Sequence, residues 1–197
     1  MIYASCVFEQ SLVANMSSFD LDLPAETVSR LSEYYSLLTR WNDRLHLVAP
    51  CSPEEFAVRH ILESLMLLNH LPPNARVADI GSGGGLPIIP CLIARPDLQA
   101  TLIESSQKKS VFLREATRPF HATIIAKPFE QVDPLPVNFV TCRALDQFMQ
   151  KLPALIDWAG DSTLLLFGGE TLREQLTNFD AFLIPQSEKR FLFLVKD

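Results

Sequence analysis

The stretch Arg76-Val77-Ala78-Asp79-Ile80-Gly81-Ser82-Gly83-Gly84-Gly85-Leu86-Pro87 decides the fold. A short apolar run, an acid and clustered glycines opening a second apolar run describe a strand turning into a helix against a nucleotide-like ligand. Glycine lets backbone approach such a ligand without an intervening Cβ, and it accepts positive φ at little cost. Asp79 would repel a pyrophosphate, so the ligand expected beside it is neutral or cationic, such as an amino acid with a free ammonium. S-adenosylmethionine meets that description. A dinucleotide fingerprint needs a glycine where Leu86 stands, which disfavours NAD. Glycines serving only a tight turn are the remaining alternative.

Outward from this turn the chain alternates short strands with helical segments. Strands are predicted at 76–80, 99–104, 123–126, 137–142 and 162–167, with helices at 88–94, 108–116 and 146–159. Such alternation predicts a mostly parallel sheet covered on both faces. Strands at 180–185 and 190–196 are joined only by Gln186-Ser187-Glu188-Lys189. A link that short closes a hairpin and makes the last strand antiparallel. The expected fold is α/β: a Rossmann-like class I S-adenosylmethionine-dependent methyltransferase, with a mostly parallel seven-stranded sheet and an N-terminal helical cap.

Upstream, Val28, Leu31, Tyr35, Leu38, Trp41 and Leu45 recur every three or four residues, one apolar stripe on a helix beginning at Ala25. Pro50 and Cys51 interrupt it. Ser52-Pro53-Glu54-Glu55 then supplies an N-cap, a first-turn proline and a glutamate three residues after the cap. The helix it opens is predicted to run to about Asn69, ended by Pro72-Pro73. The expected division is a weakly patterned extension over 1–24, a helical subdomain over 25–73 and a methyltransferase domain over 74–197.

The 197 residues are 48% hydrophobic and 20% charged, enough for one well-filled core. No apolar stretch is long enough to span a bilayer, and no Lys or Arg precedes Arg30, so no leader is expected and the chain reads as cytoplasmic. Four cysteines without a C-x-x-C pair, and four histidines without ligand spacing, argue against structural zinc and disulfides. Three of the four thiols are expected to be buried. Net charge is −6, yet residues 108–151 carry seven basic side chains against four acidic ones. Local potential governs an encounter with RNA more than the total does; a solvated helix face is the alternative.

Glu104, 25 residues after Asp79, ends the second strand. There a carboxylate can accept both hydroxyls of a ribose, or cap the next helix. Phe129-Glu130 follows the third strand, where an adenine would meet an aromatic wall, or where the ring is plain core. Arg143 follows the fourth strand, at the end of the sheet where open α/β folds bind ligands. It is expected to contact ligand or phosphate, or else to pair with Asp79 or Glu130.

These residues belong to a larger pattern. Trp41-Asn42-x-x-Leu45-His46-Leu47, Pro53-Glu54-Glu55-Phe56 and Arg59-His60-Ile61-Leu62-Glu63-Ser64-Leu65 precede the glycine turn. Arg95-Pro96, Glu104-Ser105-x-x-Lys108-Lys109-x-x-Phe112-Leu113-Arg114 and Arg143-Ala144 follow it. In this order and spacing, over roughly 34–146, they resemble the bacterial 16S ribosomal RNA guanine-N7 methyltransferase family. The resemblance implies methyl transfer from S-adenosylmethionine to N7 of a guanine in 16S rRNA or the small ribosomal subunit, by a monomer needing neither metal nor membrane. It places Gly81, Leu86, Phe129, Glu130 and Arg143 at the cofactor, with Asp79, Gly83 and Gly85 in the same turn and Glu104 on the ribose. His60 and Ser64, one helical turn apart, would face the same cleft. Lys108, Lys109, Arg114, Lys127 and Arg143 would hold RNA. N7 has a free lone pair and no proton, so no general base is nominated. The chain departs from the family pattern at His46-Leu47-Val48, Glu63, Ile88 and Phe167, where the family has Asn-Leu-Thr, Asp, Gly and Lys. A related methyltransferase with another RNA or small-molecule substrate, or a cofactor-binding domain without transfer activity, are the other readings.

Overall fold

The computed structural model describes residues 2–143, 145 and 147–196. Ala144 of the Arg143-Ala144 pair and Asp146, the expected start of a helix, lie outside them. Seven strands form one sheet in the order β3-β2-β1-β4-β5-β7-β6. They are β1 Arg76–Ile80, β2 Gln99–Ile103, β3 Ala122–Ile125, β4 Phe139–Arg143, β5 Thr163–Gly168, β6 Phe179–Leu183 and β7 Phe191–Val195. The first five pair in parallel; β7 inserts antiparallel between β5 and β6. The hairpin closes as its short link requires, and the seven predicted strands lie within a few residues of their expected bounds.

The central strands alternate sides with period two. Val77, Leu165, Leu192 and Leu194 enter one core layer. Ala78, Leu164, Leu166 and Phe193 enter the other. The first layer is covered by α1 Ile2–Asn15, α2 Ala25–Leu45, a helical run α3 over 53–70, α4 Ile88–Ala94 and α5 Gln107–Ala116. The second is covered by α6 Phe148–Ala159 and the short α7 Glu170–Arg173.

Two helical features differ from the sequence reading. α3 is α-helical at Pro53–Glu55, π-helical over Phe56–Leu62, α-helical again at Glu63–Leu65 and 3₁₀ over Met66–His70. Its N-cap forms as expected, Ser52 Oγ accepting from the Glu55 amide at 3.2 Å. Glu55, however, pairs with Arg59 at 2.6 Å. The other difference is the first segment, read as a weakly patterned extension. It is a helix with Phe8 and Leu12 fully buried. Phe8 stacks on Tyr35 at 4.7 Å and approaches Phe56 at 6.1 Å. Apolar residues surround this helix on all sides, so no single stripe marks its buried face. Of the thiols, Cys91 and Cys142 are buried, Cys51 is half-buried and Cys6 is exposed, a correction to the expected three. A Phe8→Ala substitution is expected to cost about 3–5 kcal/mol, the usual range for emptying a buried aromatic site. Urea unfolding followed by circular dichroism measures it; a loss below about 1 kcal/mol would show that α1 is not part of the cooperative core.

Candidate active site

Strand order reverses between β1 and β4, and open α/β sheets bind ligands outside the carboxyl ends of strands at such a point. A cavity of about 490 Å³ lies there, bounded by the glycine turn, the start of α5, the Leu47–Ala49 segment, His60, Arg143 and Leu145. That volume suits a ligand of cofactor size.

The turn is held from below. The Gly81 amide donates to the Ile103 carbonyl at 2.9 Å, and the Gly85 amide to Ser82 at 2.6 Å. Gly81 and Gly85 both adopt positive φ, 70° and 82°. A Cβ on Gly81 would meet Leu145 Cδ1 at 2.6 Å, the movable tip of a side chain, so it is the positive φ that calls for glycine there. Tyr34, buried on α2, donates its hydroxyl to the Gly84 carbonyl at 2.6 Å. Glu104 ties the two loops together: Oε2 accepts from the Gly83 amide at 2.8 Å and Oε1 from the Ser106 amide at 2.7 Å. Ser106 in turn caps α5, accepting from Lys109 N at 3.4 Å.

Asp79 sits beneath this turn with no solvent exposure, and neither carboxylate oxygen has a hydrogen-bond partner. Burial, opposed by the nearby Ser82 hydroxyl, which donates to the Asp79 carbonyl, and helped by the Glu104 charge, pushes its pKa up to about 7. An unpartnered buried carboxylate is costly, and a cationic ligand group is the partner its chemistry calls for.

The opposite wall comes from the helical cap. α2 ends at His46 in a left-handed conformation, φ 48°. Asn42 then clamps the following turn: its Oδ1 accepts from the Val48 amide at 2.9 Å and its Nδ2 donates to the Val48 carbonyl at 3.1 Å. Leu47, Val48 and Ala49 thereby face the cavity. His60 reaches it from the π-helical segment, its ring 4.9 Å from Phe56 and its Nδ1 buried without a partner. Burial, reinforced by Arg143, Arg59 and Arg190, lowers its pKa to about 4, so the imidazole is neutral near pH 7.

Arg143 leaves β4 and reaches α3. It donates to the Arg59 carbonyl at 2.5 Å, to Ser64 Oγ at 3.3 Å and to Glu63 Oε2 at 3.2 Å. Its guanidinium also lies 5.5 Å from the centre of the Phe167 ring. Glu63, 1% exposed, takes Arg190 of the β7 start on its other oxygen. The carboxylate partner of Arg143 is thus Glu63, where the sequence had suggested Asp79 or Glu130.

The cavity therefore gathers Gly81, Gly83, Leu86, Glu104, His60, Arg143 and Lys109. Asp79 and Gly85 lie in and under the turn, and Ser64 holds Arg143 from behind, fully buried. Phe129 is buried in the far core layer with Ile80 and Ile103. Glu130 pairs with Lys151 at 3.1 Å. Neither lines this cavity. Lys108, Arg114 and Lys127 are exposed. Tyr34, Asn42, Glu63 and Arg190 escaped the sequence reading as functional positions. Asn42 and Glu63 both stand in the motif blocks quoted above, and Glu63 is also an acid inside the mostly apolar run 61–68.

The sheet order and the cavity define a class I methyltransferase fold. Its solved likenesses include a ribosomal protein L11 methylase from Lactobacillus delbrueckii (TM-score 0.55, 13% identity, covering 70% of this chain and 78% of that one). A TehB-like SAM-dependent methyltransferase from Corynebacterium glutamicum gives TM-score 0.55 at 12% identity, covering 84% and 99%. The family model for rRNA small subunit methyltransferase G matches residues 27–195, and the chain belongs to that family. Among relatives bearing the name ribosomal RNA small subunit methyltransferase G, the Methylobacillus flagellatus protein is 36% identical, covering 85% of this chain and 84% of its own. The Gluconobacter oxydans protein is 39% identical, covering 79% and 82%.

Replacing Asp79 separates its two roles. Its raised pKa means that its contribution to stability is complete below about pH 4, its unfolded value, and is lost as pH rises through about 7. Asp79→Asn is therefore expected to stabilise the ligand-free protein at pH 8, by about 2 kcal/mol, with the gain vanishing toward pH 4. Thermal unfolding across that range measures it, and a gain independent of pH would rule out ionisation of Asp79 as the cause.

Proposed function

We propose that this protein transfers a methyl group from S-adenosylmethionine to N7 of a guanine in 16S rRNA, in the cytoplasm where small subunits assemble. One observation carries the cofactor reading: Asp79 is buried and unpartnered beneath a glycine turn whose neighbour Glu104 faces the same cavity. Asp79 and the turn backbone would hold the amino-acid end, Glu104 the ribose, and Leu47 and Leu86 apolar parts of the ligand. When bound, the cofactor supplies an electrophilic methyl on a sulfonium.

The protein's own part is positioning. N7 of guanine offers an in-plane lone pair and has no proton to lose, so the site requires no general base. Its titratable groups agree with that: His60 is held neutral, and Arg143 and Glu63 are engaged with each other. A neutral imidazole lining the cavity is suited to contact an uncharged base edge while adding no repulsion to the charge moving onto the base. In-line alignment of two bound reactants contributes up to about 7–11 kcal/mol in well-oriented systems. The A-form major groove hides N7 from side chains, so the target guanine must be unstacked or in a non-helical loop.

The deciding experiment incubates the protein with isotopically labelled S-adenosylmethionine and small subunits that lack the modification, followed by nucleoside mass spectrometry. Label in 7-methylguanosine from 16S rRNA is the expected result. Label on another atom or another RNA, or none, overturns the reading. His60→Ala is expected to lower kcat with little effect on affinity for the demethylated cofactor product. Wild-type turnover should show no limb near pH 6.5, the ordinary histidine value, that His60→Ala removes, because this imidazole titrates near 4; a limb near 7 that Asp79→Asn removes belongs to Asp79. A limb centred at 6.5 that disappears in the variant would contradict this environment for His60.

A further inference from the structure

The cavity has an exit that the site residues do not describe. α2 delivers its C-terminal end to the cavity through Leu47 and Val48, and α5 delivers its N-terminal end through Ser106 and Lys109. The two helices thus run side by side away from the mouth, packed through Trp41 and Phe112 at 6.1 Å. Where α5 ends against the middle of α2, they border a groove of about 640 Å³ that includes Arg30, Arg40 and Arg118.

Cations are unevenly treated along this chain. Arg30, Arg59, Arg95, Arg143, Lys151, Arg173 and Arg190 each carry an ion pair. Among the described residues, Arg40 and Arg44 of α2, Lys108, Lys109 and Arg114 of α5, and Arg118 just beyond it carry none. All but half-buried Lys109 are exposed. The acids beside them are Glu33 and Asp43 of α2, Glu115 of α5 and Glu9 of α1, which shares a groove with Arg40, an excess of two positive charges on a chain whose total is −6. Lys109 stands at the cavity and Arg40 and Arg118 stand at the groove beyond it, so unpaired cations lie at both ends of the seam that opens from the cavity, a surface suited to a polyanion.

We propose that the α2–α5 seam is the track on which the RNA backbone flanking the target nucleotide lies, with Arg40 and Arg118 as its distal phosphate contacts. The proposal rests on the rRNA reading above, and it brings the helical cap into RNA recognition alongside the methyltransferase sheet. The seam anchors the strand while the cavity takes one base.

The test compares Arg40→Gln/Arg118→Gln with the wild type in RNA binding at a series of salt concentrations. The probe is an unmodified 16S rRNA fragment. Lys189→Gln/Lys196→Gln, which removes two cations outside the seam, is the control. Each single-strand phosphate contact contributes about 0.7 to the slope of log K against log salt. The seam variant is expected to have a slope shallower by about 1.4, with unchanged thermal unfolding and unchanged affinity for S-adenosylmethionine; the control should match the wild type. A seam variant with the wild-type slope, or a control that loses as much, overturns the proposal. Wild-type protein that binds RNA but does not methylate it overturns the rRNA reading instead, while the slopes still decide the seam. Wild-type protein with no RNA affinity overturns both.

Discussion

Glu63 is the point through which the molecule is tied together. One buried carboxylate accepts Arg143 from the end of β4 on one oxygen and Arg190 from the start of β7 on the other. These strands lie on opposite sides of β5, so the contact spans the middle of the sheet and fastens it to α3. Burial alone raises the Glu63 pKa; the two guanidiniums oppose that and favour its charge. Two cations on one buried anion leave a positive surplus beside the cavity. Burial is the main reason the neighbouring His60 stays unprotonated, and that surplus reinforces it. A fold contact and a site property are therefore linked.

The cavity follows the same economy. Glu104 spends both oxygens on backbone amides, one from the glycine turn and one from the α5 cap. It positions the two loops whose surfaces the ligand would meet, and a carboxylate oxygen has further lone pairs to offer a hydroxyl. Tyr34 reaches through the cap to the Gly84 carbonyl, and Asn42 shapes the turn that places Leu47 and Val48 opposite. The helical cap is thus part of the cavity wall.

Much of this was legible in the residues. The sheet is read from period-two apolar runs and from a four-residue hairpin link that has one geometric solution. The turn is read from glycines that need positive φ. What stayed hidden depended on distance in sequence. Nothing local in Arg190 or Tyr34 announces a partner 127 or 50 residues away, respectively. The first helix was missed because apolar residues on every side leave no stripe for periodicity to find. The π-helical segment was missed because its side chains fit an ordinary helical pattern well enough. Phe129 and Glu130 show the converse. Their place after the third strand suggested a ligand wall, and the structure places one in the far core layer and the other in a surface pair with Lys151.

That π-helical segment gives the stretch a residue to spare. The Glu63 amide donates to the Val58 carbonyl, five residues back, so the chain between Ser52 and Glu63 holds more residues than ordinary turns of the same rise. Deleting one residue within the wide coil would return it to α geometry and leave the later side chains in place, whereas the same deletion in a regular helix such as α2 swings every later side chain by about 100° around the axis. Glu63 and Ser64 would keep facing Arg143. A one-residue deletion is therefore easier to absorb here than in the regular helices around it.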